Sequence, residues 1–431
     1  MKILRHTDAN WSQSAAAFQR QAQPSASLSE QVGALIETVK KGGDQALRDL
    51  TLKFDAATLP EGNLRLPAQA LEQAWQSLEP AMREALSASA RNVQDFARRS
   101  LRRDWSAQNE QGALVGEIFQ PFERVGCYVP GGSAPLISTA IMTVTLAAAA
   151  GVPQIVVCTP CGRDGQIHPA LLAALRIAGA TEVYPIGGAQ AIAAMAYGTQ
   201  SIAPVAKIVG PGNRFVVEAK RQCIGAVSID LLPGPSEVLI LADRTGNPAF
   251  IAADILAQAE HGKDSQAGFI TDDEALLLEV EREVQRQIVS LSRQEQLRPV
   301  LDQGVFLALV PNLREGIGLV NAYAPEHLVL IAEKEAEILP QIRTAGAIFL
   351  GNHSPVAVGD FLAGPSHTLP TGGAGKSFPG LTVDMFQRRT SIIRLDAESC
   401  AKSLPIAHAF AAAEGLDAHG RSVAIRCESA T

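Results

Sequence analysis

From Val125 to Val209 short apolar runs alternate with alanine-rich stretches: Gly126-Cys-Tyr-Val129, Ile155-Val-Val-Cys158, Glu182-Val-Tyr-Pro-Ile186 and Lys207-Ile-Val209. Between them lie Ser138–Ala150, His168–Ala178 and Ala189–Tyr197, which read as helices. Repetition of strand, helix and strand implies a parallel sheet, because parallel neighbours need a crossover rather than a tight turn. No charged residue occurs between Arg124 and Arg163. A membrane span is the rival reading of that gap. Pro130, Gly131, Gly132, Pro135, Gly151 and Pro153 cut it into pieces too short to span, so a buried strand-helix-strand unit fits better.

Downstream of about Leu232 a second alternating block begins. Its strand candidates are Glu237–Ala242, Ala267–Thr271, Val305–Val310, Leu328–Ala332 and Ala347–Leu350. Upstream, the first 120 residues read as helices, with Ser27–Val39 and Ala68–Arg98 the clearest. Gly359–Phe378 reads as a long loop, a length that is usually functional or disordered. A helix over Glu398–Glu414 and a last strand over Val423–Cys427 end the chain. The expected class is α/β, with two doubly wound, Rossmann-like parallel-sheet units. Residues 1–120 form a helical N-terminal region on the first lobe, 121–235 that lobe, 236–380 the second lobe, and 381–431 a small tail.

Composition agrees. Hydrophobic residues make up 47% and aromatics 5%, so the core must be built mainly from Ala, Val, Leu and Ile. A formal charge of -7 argues against nucleic acid or an anionic membrane as partner. The six cysteines show no disulfide framework and suit a reducing cytosol. The N-terminal Met1-Lys-Ile-Leu-Arg-His6 carries no apolar signal core. A cytoplasmic enzyme is expected.

Taken singly, the polar motifs are weak. Gln258-Ala-Glu-His261 ends a helix that Asn247 and Pro248 start and Gly262 stops, and residues three apart share a side. His is a common zinc ligand and Gln an unusual one, so a polar helix end is the bland reading. Glu326-His327 precedes an apolar strand. It can form an acid/base pair, although neighbours on extended chain point opposite ways. Asp360 and His367 flank a Gly-Pro-Ser turn in the long loop, and Glu414 and His419 lie at a helix end. Gly210-Pro-Gly-Asn213 and Gly187-Gly-Ala-Gln190 follow strands and open helices, which suits either a nucleotide phosphate or a plain turn. Two motifs are discarded. Gly372-Gly-Ala-Gly-Lys-Ser377 has Pro370 where a P-loop needs its first glycine. Cys158-Thr-Pro-Cys161 has no second pair and reads as inert core thiols.

Together the motifs resemble the histidinol dehydrogenase family from about residue 30 to the C-terminus. The matching strings are Tyr128-Val-Pro-Gly-Gly-Ser133, Gly187-Gly-Ala-Gln-Ala-Ile-Ala-Ala194, Ile208-Val-Gly-Pro-Gly-Asn213, Gly234-Pro-Ser-Glu-Val238, Gln258-Ala-Glu-His-Gly-Lys-Asp-Ser-Gln266, Ala324-Pro-Glu-His-Leu328, Gly359-Asp-Phe361, Gly364-Pro-Ser-His367 and Glu414-Gly-Leu-Asp-Ala-His419. The resemblance implies a NAD-linked, zinc-dependent enzyme that oxidises L-histidinol to L-histidine through L-histidinal. It implies one zinc per chain on Gln258, His261, Asp360 and His419, and acid/base roles for Glu326 and His327. Substrate contacts would fall to Ser236, His367 and Glu414 besides His327 and the zinc ligands. NAD contacts would fall to Tyr128, Gln190 and Asn213. It also implies a homodimer in which the swapped C-terminal segment completes the partner's site. Departures are small: Pro233-Gly234 where many relatives have Ala-Gly, and Phe361 where Tyr is common. The rival readings are a paralogous dehydrogenase of another polar alcohol, such as a sulfonated diol, and a catalytically silent zinc-binding scaffold. Glu414 speaks against the first rival. The intact Glu326-His327 pair speaks against the second.

Overall fold

The structure, a computed structural model, describes residues 1–9, 11, 13, 25–131 and 135–428. Gly132 and Ser133 of the first family string lie outside the described residues.

The chain is α/β. The first parallel sheet holds five strands: β4 (Arg124–Tyr128), β5 (Gln154–Cys158), β6 (Glu182–Tyr184), β7 (Lys207–Val209) and β8 (Ser228–Ile229). Their spatial order is β6-β5-β4-β7-β8, and the order reverses beside β4, which makes a switch point at its carboxyl end. Helices α4 (Ile137–Ala149), α5 (Pro169–Ala178), α6 (Gly188–Tyr197) and α7 (Arg214–Gln222) connect these strands and cover both faces. That double cover is why the strands are continuously apolar rather than alternating.

The second sheet is also wholly parallel. It joins β9 (Glu237–Ala242), β10 (Gln266–Thr271), β11 (Val305–Leu309), β12 (His327–Ile331) and β13 (Ala347–Leu350). Its helices are α8 (Pro248–Ala259), α9 (Glu274–Ile288), α10 (Gln294–Gly304), α11 (Leu313–Tyr323), the single turn α12 (Glu335–Ile338) and the short α13 (Val356–Phe361). Asn247 caps α8 by accepting from Ala249 and Phe250 N–H, with Pro248 in the first turn.

Three expectations need correction. The first 120 residues are not all helical. Helices α1 (Ala26–Asp55), α2 (Ala68–Ser77) and α3 (Pro80–Ser100) do pack on the first sheet's helices. However, β1 (Lys2–Arg5) pairs in parallel with β11, making a sixth strand of the second sheet in the order β1-β11-β10-β9-β12-β13. Strands β2 (Trp105–Gln108) and β3 (Leu114–Pro121) join β14 (Gln387–Arg394) in a small antiparallel sheet. The strand expected at Val423–Cys427 is part of helix α15 (Asp417–Glu428), which folds back on α14 (Ala397–Glu414) as a hairpin. Finally, Asp360 sits on α13 rather than in irregular loop. Among the described residues no helix is long and apolar enough to cross a membrane.

Candidate active site

The second lobe gathers its polar residues at the amino ends of β9 and β12. His327 opens β12 and lies opposite Val238 of β9. Its Nδ1 is 3.2 Å from the Glu237 carbonyl oxygen. A carbonyl only accepts, so Nδ1 carries the proton and the lone pair is left on Nε2. Nε2 faces the Asp360 carboxylate at 3.7 Å. Burial lowers the His327 imidazole to about 4, against the opposing pull of Asp360, so the ring is neutral at physiological pH.

Glu326 is buried beside it. Oε2 accepts from the Glu237 N–H at 2.8 Å and lies 3.6 Å from His327 Nδ1. The two neighbours therefore do meet, because Glu326 precedes the strand and is not bound by its alternation. Burial raises the Glu326 carboxyl well above the usual carboxylate range, and the nearby Glu237 and Asp360 carboxylates add to this.

Asp360 is the hub. Its Oδ2 is 3.7 Å from His261 Nε2, and its Oδ1 is 4.0 Å from His367 Nδ1. The His367 Nδ1 donates to the Asp360 carbonyl at 3.0 Å, and its Nε2 meets Thr139 Oγ1 of the first lobe at 3.2 Å. Gln258 lies in the last turn of α8, against which α13 packs. Both atoms of its side-chain amide are buried without a hydrogen-bond partner among the described residues. An amide in that state is costly unless something else engages it. Its place three residues before His261, on a helix packed against the one that carries Asp360, fits a metal ligand, so the donor set suits zinc. Among the described residues no group of three or more His, Cys, Asp or Glu side chains is gathered to hold a metal alone. Gln258, His261 and Asp360 supply one amide, one imidazole and one carboxylate, one ligand short of a tetrahedral set.

Ser236 stands at the same sheet edge, immediately before β9. Glu414 and His419 do not join the cluster within one chain. Both are exposed, at the end of α14 and on α15. The structure also adds residues that motif reading missed. Glu237 is buried and accepts from Gly372 N–H and Tyr323 Oη, so it ties the long loop to the sheet edge. Its position inside the string Gly234-Pro-Ser-Glu-Val238 was the available signal. Thr139 sits on the apolar α4, where nothing local marks it.

The first lobe, together with the N-terminal region, holds a cleft of about 1190 Å³. It opens at the carboxyl ends of β4, β6 and β7 and is lined by Tyr128, Gln190 and Asn213. Tyr128 is the last residue of β4, and its Oη accepts from the Gly188 N–H at 2.9 Å. Asn213 caps α7 through Oδ1, from Phe215 and Val216 N–H, which leaves its Nδ2 to the cleft. Gln190 is buried on the first turn of α6. Gly210 is gripped from below. Its N–H donates to Asp230 at 2.7 Å, and its carbonyl accepts from Lys220 at 2.9 Å. Lys220 and Asp230 form a fully buried ion pair.

Comparison with known proteins agrees with the string matches. The family described as histidinol dehydrogenase matches residues 18–427. The histidinol dehydrogenase of Methanothermobacter thermautotrophicus is 44% identical over 91% of each chain. That of Xylella fastidiosa strain Temecula1 is 42% identical over 100% of both. The crystal structure of histidinol dehydrogenase from Elizabethkingia anophelis superposes with a TM-score of 0.94 at 34% identity, covering 100% of this chain and 98% of that one.

Proposed function

Because the chain belongs to the histidinol dehydrogenase family, we propose that it oxidises L-histidinol to L-histidine through L-histidinal, with NAD and zinc, in the last steps of histidine biosynthesis. The observation that carries the reading is the buried, unpartnered Gln258 amide beside the His261–Asp360 pair, next to a neutral imidazole.

His327 is the general base. Its Nδ1 proton is held by the Glu237 carbonyl, so Nε2 takes the substrate's hydroxyl proton. Asp360 then steadies the imidazolium. Glu326 serves the second oxidation: it takes a proton from the water that hydrates the aldehyde, and its raised basicity suits that task. Gln258, His261 and Asp360 hold zinc together with His419. Zinc bound there supplies a fixed positive centre that orients an amine and an imidazole nitrogen. A neutral Gln ligand leaves that centre more positive than a second carboxylate would. Ser236, His367 and Glu414 contact the substrate. Tyr128, Gln190 and Asn213 hold NAD, which supplies the hydride acceptor. The enzyme is a homodimer, and the hairpin of a second copy brings Glu414 and His419, which lie exposed and apart from the cluster of their own chain. Six free thiols suit a cytoplasmic setting.

NADH production from histidinol, a neutral diol and a sulfonated diol tests the activity, and elemental analysis tests the metal. Turnover of histidinol above both diols, with close to one zinc per chain, is expected. Full turnover by metal-free protein refutes the zinc assignment. Equal rates on all three alcohols refute the substrate.

A further inference from the structure

The cofactor cleft is not built by the first lobe alone. The N-terminal helix α1 forms one wall, through Val32, Leu35, Leu50, Phe54 and Asp55. The apolar members suit a flat base, and Phe54 presents an exposed ring to it. Asp55 is different. It is the last residue of α1. Its Oδ2 is buried without a hydrogen-bond partner among the described residues. The carboxylate lies close enough to Tyr128 and Cys161, both in the cleft, to push their titration up beyond what burial alone does. The next residue, Ala56, is in the left-handed region at φ 52°, a strained conformation for a residue with a Cβ. The other described non-glycine residue with positive φ is Ala324, two residues before Glu326.

A buried carboxylate oxygen with nothing to accept from is costly, and a ligand that brings hydroxyl donors relieves it. Two cations, Lys53 and Arg163, line the same cleft, so a diphosphate is not repelled as a whole. Selection against one further phosphate must then come from a carboxylate placed at a particular ribose hydroxyl. Building on the NAD reading above, we infer that Asp55 accepts the adenosine ribose hydroxyls and makes the cleft selective for NAD over NADP. A carboxylate there accepts from the 2′-hydroxyl and opposes a doubly charged group in its place. The helical N-terminal region thus supplies a specificity residue that the usual site, an acid at the end of the second strand of a dinucleotide fold, does not provide here. That position is taken by Cys158 at the end of β5 and the Thr-Pro-Cys turn behind it.

Calorimetric titration of the zinc-loaded full chain with NAD and with NADP tests this without relying on turnover. The parent protein should bind NAD at least about 100-fold more tightly than NADP, as sites built around a hydroxyl discriminate. Asp55→Asn keeps the shape and removes the charge. It should weaken NAD about tenfold and narrow the preference to less than about tenfold. Asp55→Ser should act in the same direction, and a melting curve for each variant shows that it is folded. If both variants keep the parent's NAD affinity and its preference, the Asp55 assignment is wrong and the NAD reading stands. A parent protein that does not discriminate also overturns the assignment. A parent that binds neither dinucleotide overturns the NAD reading, and the assignment with it.

Discussion

His327 keeps its lone pair because burial outweighs the attraction of Asp360. His327→Gln should retain zinc and slow turnover by roughly 10²–10⁴, the usual worth of a positioned base. A near-parental rate across pH would refute the role. Glu326→Gln should harm aldehyde oxidation more than alcohol oxidation, since only the aldehyde step consumes water. Equal losses on histidinal and histidinol would end that division of labour. Asp254 offers a separate test, in stability. It lies on α8 and accepts from the Val356 N–H at the start of α13, and burial raises its carboxyl to about 6. Below about pH 4 it is protonated in both the folded and unfolded chain, and nothing is lost. Between about 4 and 6 the unfolded chain releases the proton while the folded one holds it, so stability falls as pH rises. Above about 6 the whole cost, roughly 2–3 kcal/mol, is present. Asp254→Asn keeps the acceptor and removes the charge. Its melting temperature should match the parent near pH 4 and exceed it at pH 7, and parallel curves would refute the account. At this scale spacing placed Gln258 and His261 together at a helix end, and the helix does stop between them, at Ala259. Spacing could not foresee that Asp360 stands opposite, since about a hundred residues separate them and only the packing of α13 on α8 closes the gap.

Elements were legible where burial is two-sided. Strands β4, β5, β9 and β10 are apolar runs inside parallel sheets, and that signal survives without neighbours. It fails at the edges. β1 reads Lys-Ile-Leu-Arg, four residues with charged ends, and only pairing with β11 makes it a strand. In α15 the stretch Val423–Cys427, with β-branched Val423 and Ile425, read as a strand. Gly420 is buried instead, and Val423, Ala424 and Cys427 are half-buried, the spacing of a helix face laid on α14. The Lys220–Asp230 pair shows an element serving the site from beneath. α7 carries Lys220, Asp230 follows β8, and together they hold both backbone groups of Gly210. Lys220→Met leaves Asp230 buried and uncompensated, which should cost about 3–5 kcal/mol in urea unfolding. Because Gly210 opens the turn that carries Asn213, NAD affinity should fall as well. Adding Asp230→Asn to Lys220→Met should recover part of the stability. A single variant as stable as the parent would show that the pair is dispensable.

For the whole molecule, the two candidate sites lie at opposite strand ends of their own sheets. The cleft proposed to hold NAD opens at the carboxyl ends of the first sheet's strands, as the switch-point rule expects. The acid/base pair stands at the amino end of β12. The long loop ties the lobes, with Ser366 donating to the Met142 carbonyl and His367 meeting Thr139. The α14–α15 hairpin stays outside this arrangement. Phe410, Ile406, Leu416 and Ile425 are exposed on it, an apolar surface of the kind that a second chain covers. Shared sites make a sharp prediction from two dead variants, His327→Ala and His419→Ala. Each homodimer should be inactive, the first lacking its base and the second a zinc ligand. Unfolding a mixture and refolding it together yields hybrid dimers. If the hairpin crosses, one site of the hybrid combines His327→Ala from its own chain with His419→Ala from the other. The second site combines an intact base with an intact hairpin. That site turns over histidinol, and about half of the refolded dimers are hybrids if pairing is random. Refolded activity should therefore approach about a quarter of the parent's, one working site in two across half the dimers. If each hairpin serves its own chain, every site in every dimer carries a lesion, and the mixture stays dead.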